Sequence, residues 1–188
     1  MSPASVHSTV IRAIEEATQD VFSMMIGVDV AKEAAGATAA GAELMEAGIR
    51  SEFTLSGAVR GMASVFYSMT LGRWITAQML QSEPSEEQEM LDAAGEVANM
   101  IVGNVKNKVE KYVGTIQIST PAVAKLERLE EATSDTGANA VSFRCRESVF
   151  TVAIAFREGS ARTETAESNS LTGSDGPQSP AASPTPNG

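Results

Sequence analysis

The sequence has a single cysteine, Cys145, and a single histidine, His7. One thiol excludes an intrachain disulfide framework. No Cys or carboxylate set stands at ligand spacing around His7, so no bound metal or other cofactor is expected. Aromatic residues are 5% of the chain against 43% for all apolar types, so Val, Ile, Leu, Ala and Met must build the core. Basic residues are scarce too, with 14 Lys and Arg against 24 Asp and Glu and a formal net charge of -10. No basic run occurs. That argues against a nucleic-acid partner, whose binding needs clustered cations to displace counterions. The acidity is as readily a solubility feature. No apolar stretch approaches the roughly 20 residues that span a bilayer, so no membrane partner is expected. The opening residues, Met1 to His7, lack a basic segment followed by an apolar one; no secretory leader is expected, and the expected location is cytoplasmic. Glycine-rich phosphate loops are missing as well, since Gly36, Gly41 and Gly48 lack the spacing and the following helix.

What is present is one domain's worth of alternating patterns, over 1–158. Residues 159–188 are rich in Ser, Thr, Pro, Gly and Glu, with Leu171 the only large apolar residue. Such a segment buries too little surface to offset its chain entropy and reads as a disordered tail. Within the domain, Val10, Ile14, Ala17, Val21 and Met24 recur at helical spacing, widened by Ile11, Phe22 and Met25, which predicts a helix over 8–25. A short strand over 28–32 follows, and the Ala- and Gly-rich stretch 34–48 has no clear pattern. Alternation over 51–55 and 59–67 about Ser56-Gly57 predicts a hairpin. Leu71, Trp74, Ile75 and Met79 return to helical spacing, with Trp74, Met79 and Leu80 expected in the core. A long helix is predicted over 85–112, then a strand over 115–119 stopped by Pro121, then strands over 139–146 and 148–157. Val141, Phe143 and Cys145 share a face in the first of these, so Cys145 reads as a buried core residue. Helices mixed with hairpins predict α+β: a largely antiparallel sheet packed against long helices.

On a wheel of 100° per residue, the long helix separates into two stripes. Leu91, Ala94, Ala98, Ile101, Val105, Val109 and Tyr112 form the one expected to face the core. Asp92, Glu96, Asn99, Gly103, Lys106 and Glu110 form the other, roughly 140° away. Glu96 and Asn99 are three apart, so their side chains lie side by side. Met100 sits beyond them, away from the core, where an exposed thioether suits protein docking. By itself a Glu and an Asn at this spacing is a commonplace solvated pair. Asp92 and Lys106 flank it and read first as solvated salt-bridge formers.

The pair gains meaning from its surroundings. The run from Asp92 to Lys106, with Glu96, Asn99, the apolar Met100-Ile101, the Gly103-Asn104 step and Lys106, resembles the signature helix of the CheC/CheX/FliY phosphatases. The opening helix, the 61–67 strand with the helix ending at Met79-Leu80, Pro121-x-Val123 and the closing hairpin follow the same family order, over 10–157. The resemblance implies a phosphatase acting on the aspartyl phosphate of a response-regulator receiver, CheY-like, whose Mg²⁺ sits on the receiver. It implies that Asn99 orients the attacking water and Glu96 anchors to the receiver's Lys, with Asp92, Met100, Gly103 and Lys106 as docking residues. An amide suits this task, offering a donor and an acceptor without a charge that repels phosphate. A second pair, common on the first helix of CheC-type members, is missing: Glu15, Glu16, Thr18 and Gln19 include no Asn three residues after a Glu. One site points to the CheX branch, whose members resemble one another in forming homodimers, here with edge strands over 148–157 as the expected contact. The Gly that often follows the family's Pro is replaced by the region of Lys125. The other reading is a non-catalytic module that binds a receiver or a switch component through the same helix.

Overall fold

The computed structural model describes residues 3–34, 47–127 and 139–158. The expected tail over 159–188 and most of the unpatterned 34–48 stretch lie outside the described residues. The chain starts with helix α1 (Pro3–Val21), which runs into a turn of π-helix at Phe22–Ile26. Val10, Ile14, Ala17 and Val21 of α1 are buried, as their spacing requires. The π turn then changes the phase. Its wider winding puts Phe22 and Ile26 inside and leaves Met24 and Met25 73% and 53% exposed, so these two methionines are not part of the core stripe. Gly27 ends the turn in a left-handed conformation (φ 77°), its N–H donating to the Phe22 carbonyl.

Strand β1 (Ala31–Lys32) is shorter than its pattern predicted. Strands β2 (Gly48–Gly57) and β3 (Val59–Ser68) form the expected hairpin. Ser68 caps helix α2 (Met69–Leu80) by accepting from the Leu71 N–H at 3.1 Å. Trp74 and Met79 pack on the core, but Leu80 is half exposed because it closes the helix, with Gln81 left-handed after it. Helix α3 (Glu87–Val113) starts at a capping box between Glu86 and Glu89. Strands β4 (Ile116–Ile118), β5 (Ala122–Leu126), β6 (Asn139–Cys145) and β7 (Ser148–Glu158) complete the chain.

All seven strands join one sheet in the order β1-β6-β7-β3-β2-β4, with β5 also on β2, and every pairing is antiparallel. The fold is therefore α+β, as the pattern predicted. One expectation needs correction, and one strand was not foreseen. First, β7 is not an edge: it is hydrogen-bonded to β6 on one side and β3 on the other, so it offers no free ladder to a second chain. Secondly, β4 ends before Pro121 as expected, but β5 follows it in the same sheet. β4 pairs with Leu55 to Gly57 and β5 with Gly48 to Glu52, so they are two halves of one interrupted strand along β2. Pro121 sits at the break, where no ladder N–H is needed. Ser119 holds the break to β2: its N–H donates to the Thr54 carbonyl (3.1 Å) and its Oγ accepts from the Thr54 N–H (3.0 Å).

The core lies between the sheet and the helices. Ile49, Phe53, Val65 and Tyr67 face it from the central hairpin. Phe150 stacks against Phe22, Phe143 and Tyr67 with centroids 4.8, 5.4 and 5.7 Å away, so four of the aromatics meet at one point in the core. Cys145 is buried, as its alternation predicted, and burial pushes its thiol up. His7 Nδ1 lies 2.5 Å from Asn139 Oδ1, and Asn139 Nδ2 donates to the Ile154 carbonyl, so the only histidine ties α1 to β6.

Candidate functional site

Helix α3 is bound on three sides. Val97, Ala98, Ile101, Val105 and Val109 are buried against the sheet and the other helices. Towards α1, Lys108 reaches Glu16 (3.0 Å) and Asp20 (3.7 Å). The hydrogen bond to Lys108 is the main reason the Glu16 carboxyl lies below its ordinary range and the Lys108 amine above its own. On the opposite side stands the strap made by the link from β4 to β5 and by β5 itself. An ideal Cβ on the buried Gly95 would lie 2.9 Å from Val123 Cγ2 and 3.9 Å from Pro121 Cγ, so only glycine lets the strap stand so close.

The fourth side is open. There the structure aligns Asp92, Glu96, Asn99, Gly103 and Lys106 as the helical period predicted. Glu96 is exposed and Asn99 half-buried, and among the described residues neither side chain has a hydrogen-bond or ion-pair partner. The neighbours along the stripe are engaged. Asp92 Oδ1 accepts from Gln88 Nε2 at 2.7 Å, and Lys106 Nζ lies 3.1 Å from Glu110 Oε1. Glu110 also accepts from the Ile116 N–H at 2.6 Å; this bond first, and Lys106 second, holds its carboxyl below the ordinary range. Gly103 has nothing within 4 Å of where a Cβ would stand.

Two positions differ from the wheel, and a third was missed by it. Met100 is half-buried and packed against the core cluster, so it is a border residue rather than a free docking side chain. Tyr112, assigned to the core stripe, is half exposed: it lies in the last turn of α3, beside Thr9 in the first half of α1. Gly95 was not singled out by its sequence, although an interior helical glycine costs about 1 kcal/mol relative to alanine and so calls for a reason.

On α1, where CheC-type proteins would carry a second pair, Gln19 is exposed and without a partner among the described residues, but the others are paired or buried. Glu15 pairs with Lys32, Glu16 with Lys108, and Thr18 is fully buried. The contrast with Glu96 and Asn99 leaves one open pair on these two helices. Among the described residues, no group of three or more His, Cys, Asp or Glu is placed to hold a metal ion, and no helix is long and apolar enough to cross a membrane.

A carboxylate and a carboxamide side by side on a rigid helix, uncommitted within the chain, can contact a cation and orient a water on another molecule. Comparison with known proteins places that helix inside a matched family region. The family model described as Chemotaxis phosphatase CheX matches residues 51–146, which run from β2 through α3 to the end of β6. No curated protein matches the chain. Among solved structures, the chemotaxis protein CheX of Vibrio vulnificus is similar with a TM-score of 0.63 at 17% identity, over 79% of this chain and 96% of that one. CheX of Borrelia burgdorferi, solved as a complex with CheY, BeF3 and Mg²⁺, has a TM-score of 0.58 at 19% identity, over 79% and 97%. FliY of Thermotoga maritima follows with 0.54 at 15% identity, over 82% and 92%. At these identities the solved structures speak for the fold, and the family match spans half of the chain. This chain belongs to the CheX family of chemotaxis phosphatases.

Proposed function

We propose that this protein hydrolyses the aspartyl phosphate of a CheY-like receiver, with α3 as the face presented to it. The observation that carries the reading is the uncommitted pair, Glu96 and Asn99, on the open stripe of the helix that the family match contains. The complex of Borrelia burgdorferi CheX with CheY supports the class of partner. The expected location is the cytoplasm, where receivers act.

The chemistry asks little of the catalyst beyond placement. Water attacks phosphorus in line, the P–O bond to the aspartyl carboxylate breaks, and the products are inorganic phosphate and the free receiver. Mg²⁺ belongs to the receiver and neutralises the developing charge there. Asn99 accepts from the water through Oδ1 and donates to phosphate oxygen through Nδ2, which fixes the angle of attack. Glu96 pairs with the receiver's active-site Lys, setting the position from which Asn99 reaches in. A general base of raised pKa is not required. Homodimerisation remains part of the proposal as a family trait, with β7 excluded as the free edge.

The test is the decay of a phosphorylated CheY-like receiver from the same organism, in Mg²⁺, with and without the protein. The wild type accelerates decay, and Asn99→Ala lowers that acceleration by ~10²-fold, the usual cost of removing one positioned hydrogen-bonding group. The second reading is a receiver-binding module without hydrolysis, which an open polar face would serve equally well. It is favoured if Asn99→Ala weakens binding while decay is unaffected by either protein.

A further inference from the structure

Seven glycines have their surroundings described, and six have a reason inside the fold: either a left-handed backbone or a neighbour within 3 Å of the missing Cβ. Gly103 has neither. It sits in the interior of a 27-residue helix, with ordinary helical backbone and nothing within 4 Å of the Cβ position. Glycine is a poor choice there, because it loses more backbone entropy than alanine and packs nothing. Nothing described within the molecule is gained in return.

The position suggests what is gained outside it. Gly103 lies one turn beyond Asn99 and two beyond Glu96, on the same stripe. The next side chain along, Lys106, is turned to Glu110 and does not cover it. The missing side chain leaves a notch in the helix surface between Asn99 and Lys106, where another molecule can reach the backbone of α3.

We propose that Gly103 is the close-approach point of the docking surface: the phosphorylated receiver seats against the α3 backbone there, nearer than a Cβ would permit. This inference rests on the receiver-binding reading above, in which Gly103 already stands among the docking residues, and adds that its contribution is absence of bulk. Its contact sets how far Asn99 extends into the receiver, so Gly103 is a positioning residue rather than a catalytic one.

A substitution there has effects of opposite sign on folding and on docking. Gly103→Ala in the full chain raises the melting temperature, because the helix gains propensity and no neighbour is disturbed. In the decay assay, with the CheY-like receiver phosphorylated by acetyl phosphate in Mg²⁺, the same variant raises the apparent KM roughly tenfold, as one methyl forced into a closed contact would. Gly103→Leu raises it further. An unchanged KM in both variants overturns the proposal, and so does a lowered melting temperature of Gly103→Ala, which would mean the glycine serves the fold. Binding of the BeF3-activated receiver separates this inference from the phosphatase reading. If the wild type binds without speeding decay, the catalytic reading falls while weaker binding by Gly103→Ala still supports the notch. A wild type that neither binds nor hydrolyses overturns both.

Discussion

Gly95 and Gly103 lie eight residues apart on one helix, and their surroundings are opposite. At Gly95 the strap closes over the helix, and a Cβ would stand 2.9 Å from a Val123 methyl. At Gly103 there is open space. The first glycine answers to the molecule itself; the second has no internal reason and lies beside the uncommitted Glu96 and Asn99. A residue type that costs helix stability is informative in both places, but what it reports depends on what stands opposite it. The same division separates the two flanks of the helix, one held by packing and one open at Glu96, Asn99 and Gly103 among the described residues.

The packed flank gives the largest expected effect. Ile101 is fully buried, so Ile101→Ala should lose about 2–5 kcal/mol of stability. Urea unfolding measures this, and the folded fraction should bind the receiver normally. A loss of under half a kcal/mol would mean that this flank is not the core-bearing one.

Gly95→Ala comes next. The Val123 methyl cannot easily yield, since a β-branched side chain is stiff and the strap is held to β2 at Ser119 and to α3 by the Lys125–Glu87 ion pair (2.6 Å). Overpacking costs about 1–3 kcal/mol and the helix gains about 1, so a net loss near 1 kcal/mol is expected. Val123→Ala should relieve it, so that the double variant is more stable than the sum of the two single changes. If Gly95→Ala stabilised the protein as Gly103→Ala should, the contrast between the two glycines would be lost.

At the far end of the open stripe, Glu110 tests how firmly the helix is anchored to β4. Its folded carboxyl is held below the ordinary value of 4.5, by the Ile116 N–H first and by Lys106 second. A depressed folded pKa gives a contribution fully present above 4.5 and lost as pH falls through the lower folded value. Stability measured from pH 5 downward should therefore decline less steeply in Glu110→Gln than in the wild type. The Glu110 side chain keeps about a quarter of its surface in solvent, 24%, and solvent screens the pair, so the difference should be small. Parallel curves would show that the turn into β4 does not depend on this charge.

The smallest stability effect belongs to the site. Glu96→Ala and Asn99→Ala remove side chains with no partner among the described residues, so each should stay within about 0.5 kcal/mol of wild type. If either variant proved strongly destabilised, the open flank would have a structural role and the functional reading would lose its support.

Several features were legible in the sequence because they depend on local period. The spacing of Ala94, Ala98, Ile101, Val105 and Val109 identifies the buried flank of α3, and that of Glu96 and Asn99 places them together on the other. The hairpin of β2 and β3 follows from alternation about a glycine turn. Failures arose where a neighbour or a change of winding intervened. Met24 and Met25 continue the α1 stripe only if the helix stays α, and the π turn rotates them outward. Met100 falls off the core stripe on a wheel, yet its long side chain reaches the core's edge. Strand β5 has little alternation to show, because it pairs along only one side, with β2.

By itself the sequence determined the class of fold, the long helix and the pairing of a carboxylate with a carboxamide on one face, since each is a matter of side-chain period along a single element. Only the tertiary structure decided that β7 is central rather than an edge, that β4 and β5 are two halves of one strand, and that Gly95 is closed while Gly103 is open. Those facts depend on which distant segments come to lie against one another. A period along the chain describes the face an element turns, whereas the neighbour across that face is chosen by the packing of the whole domain.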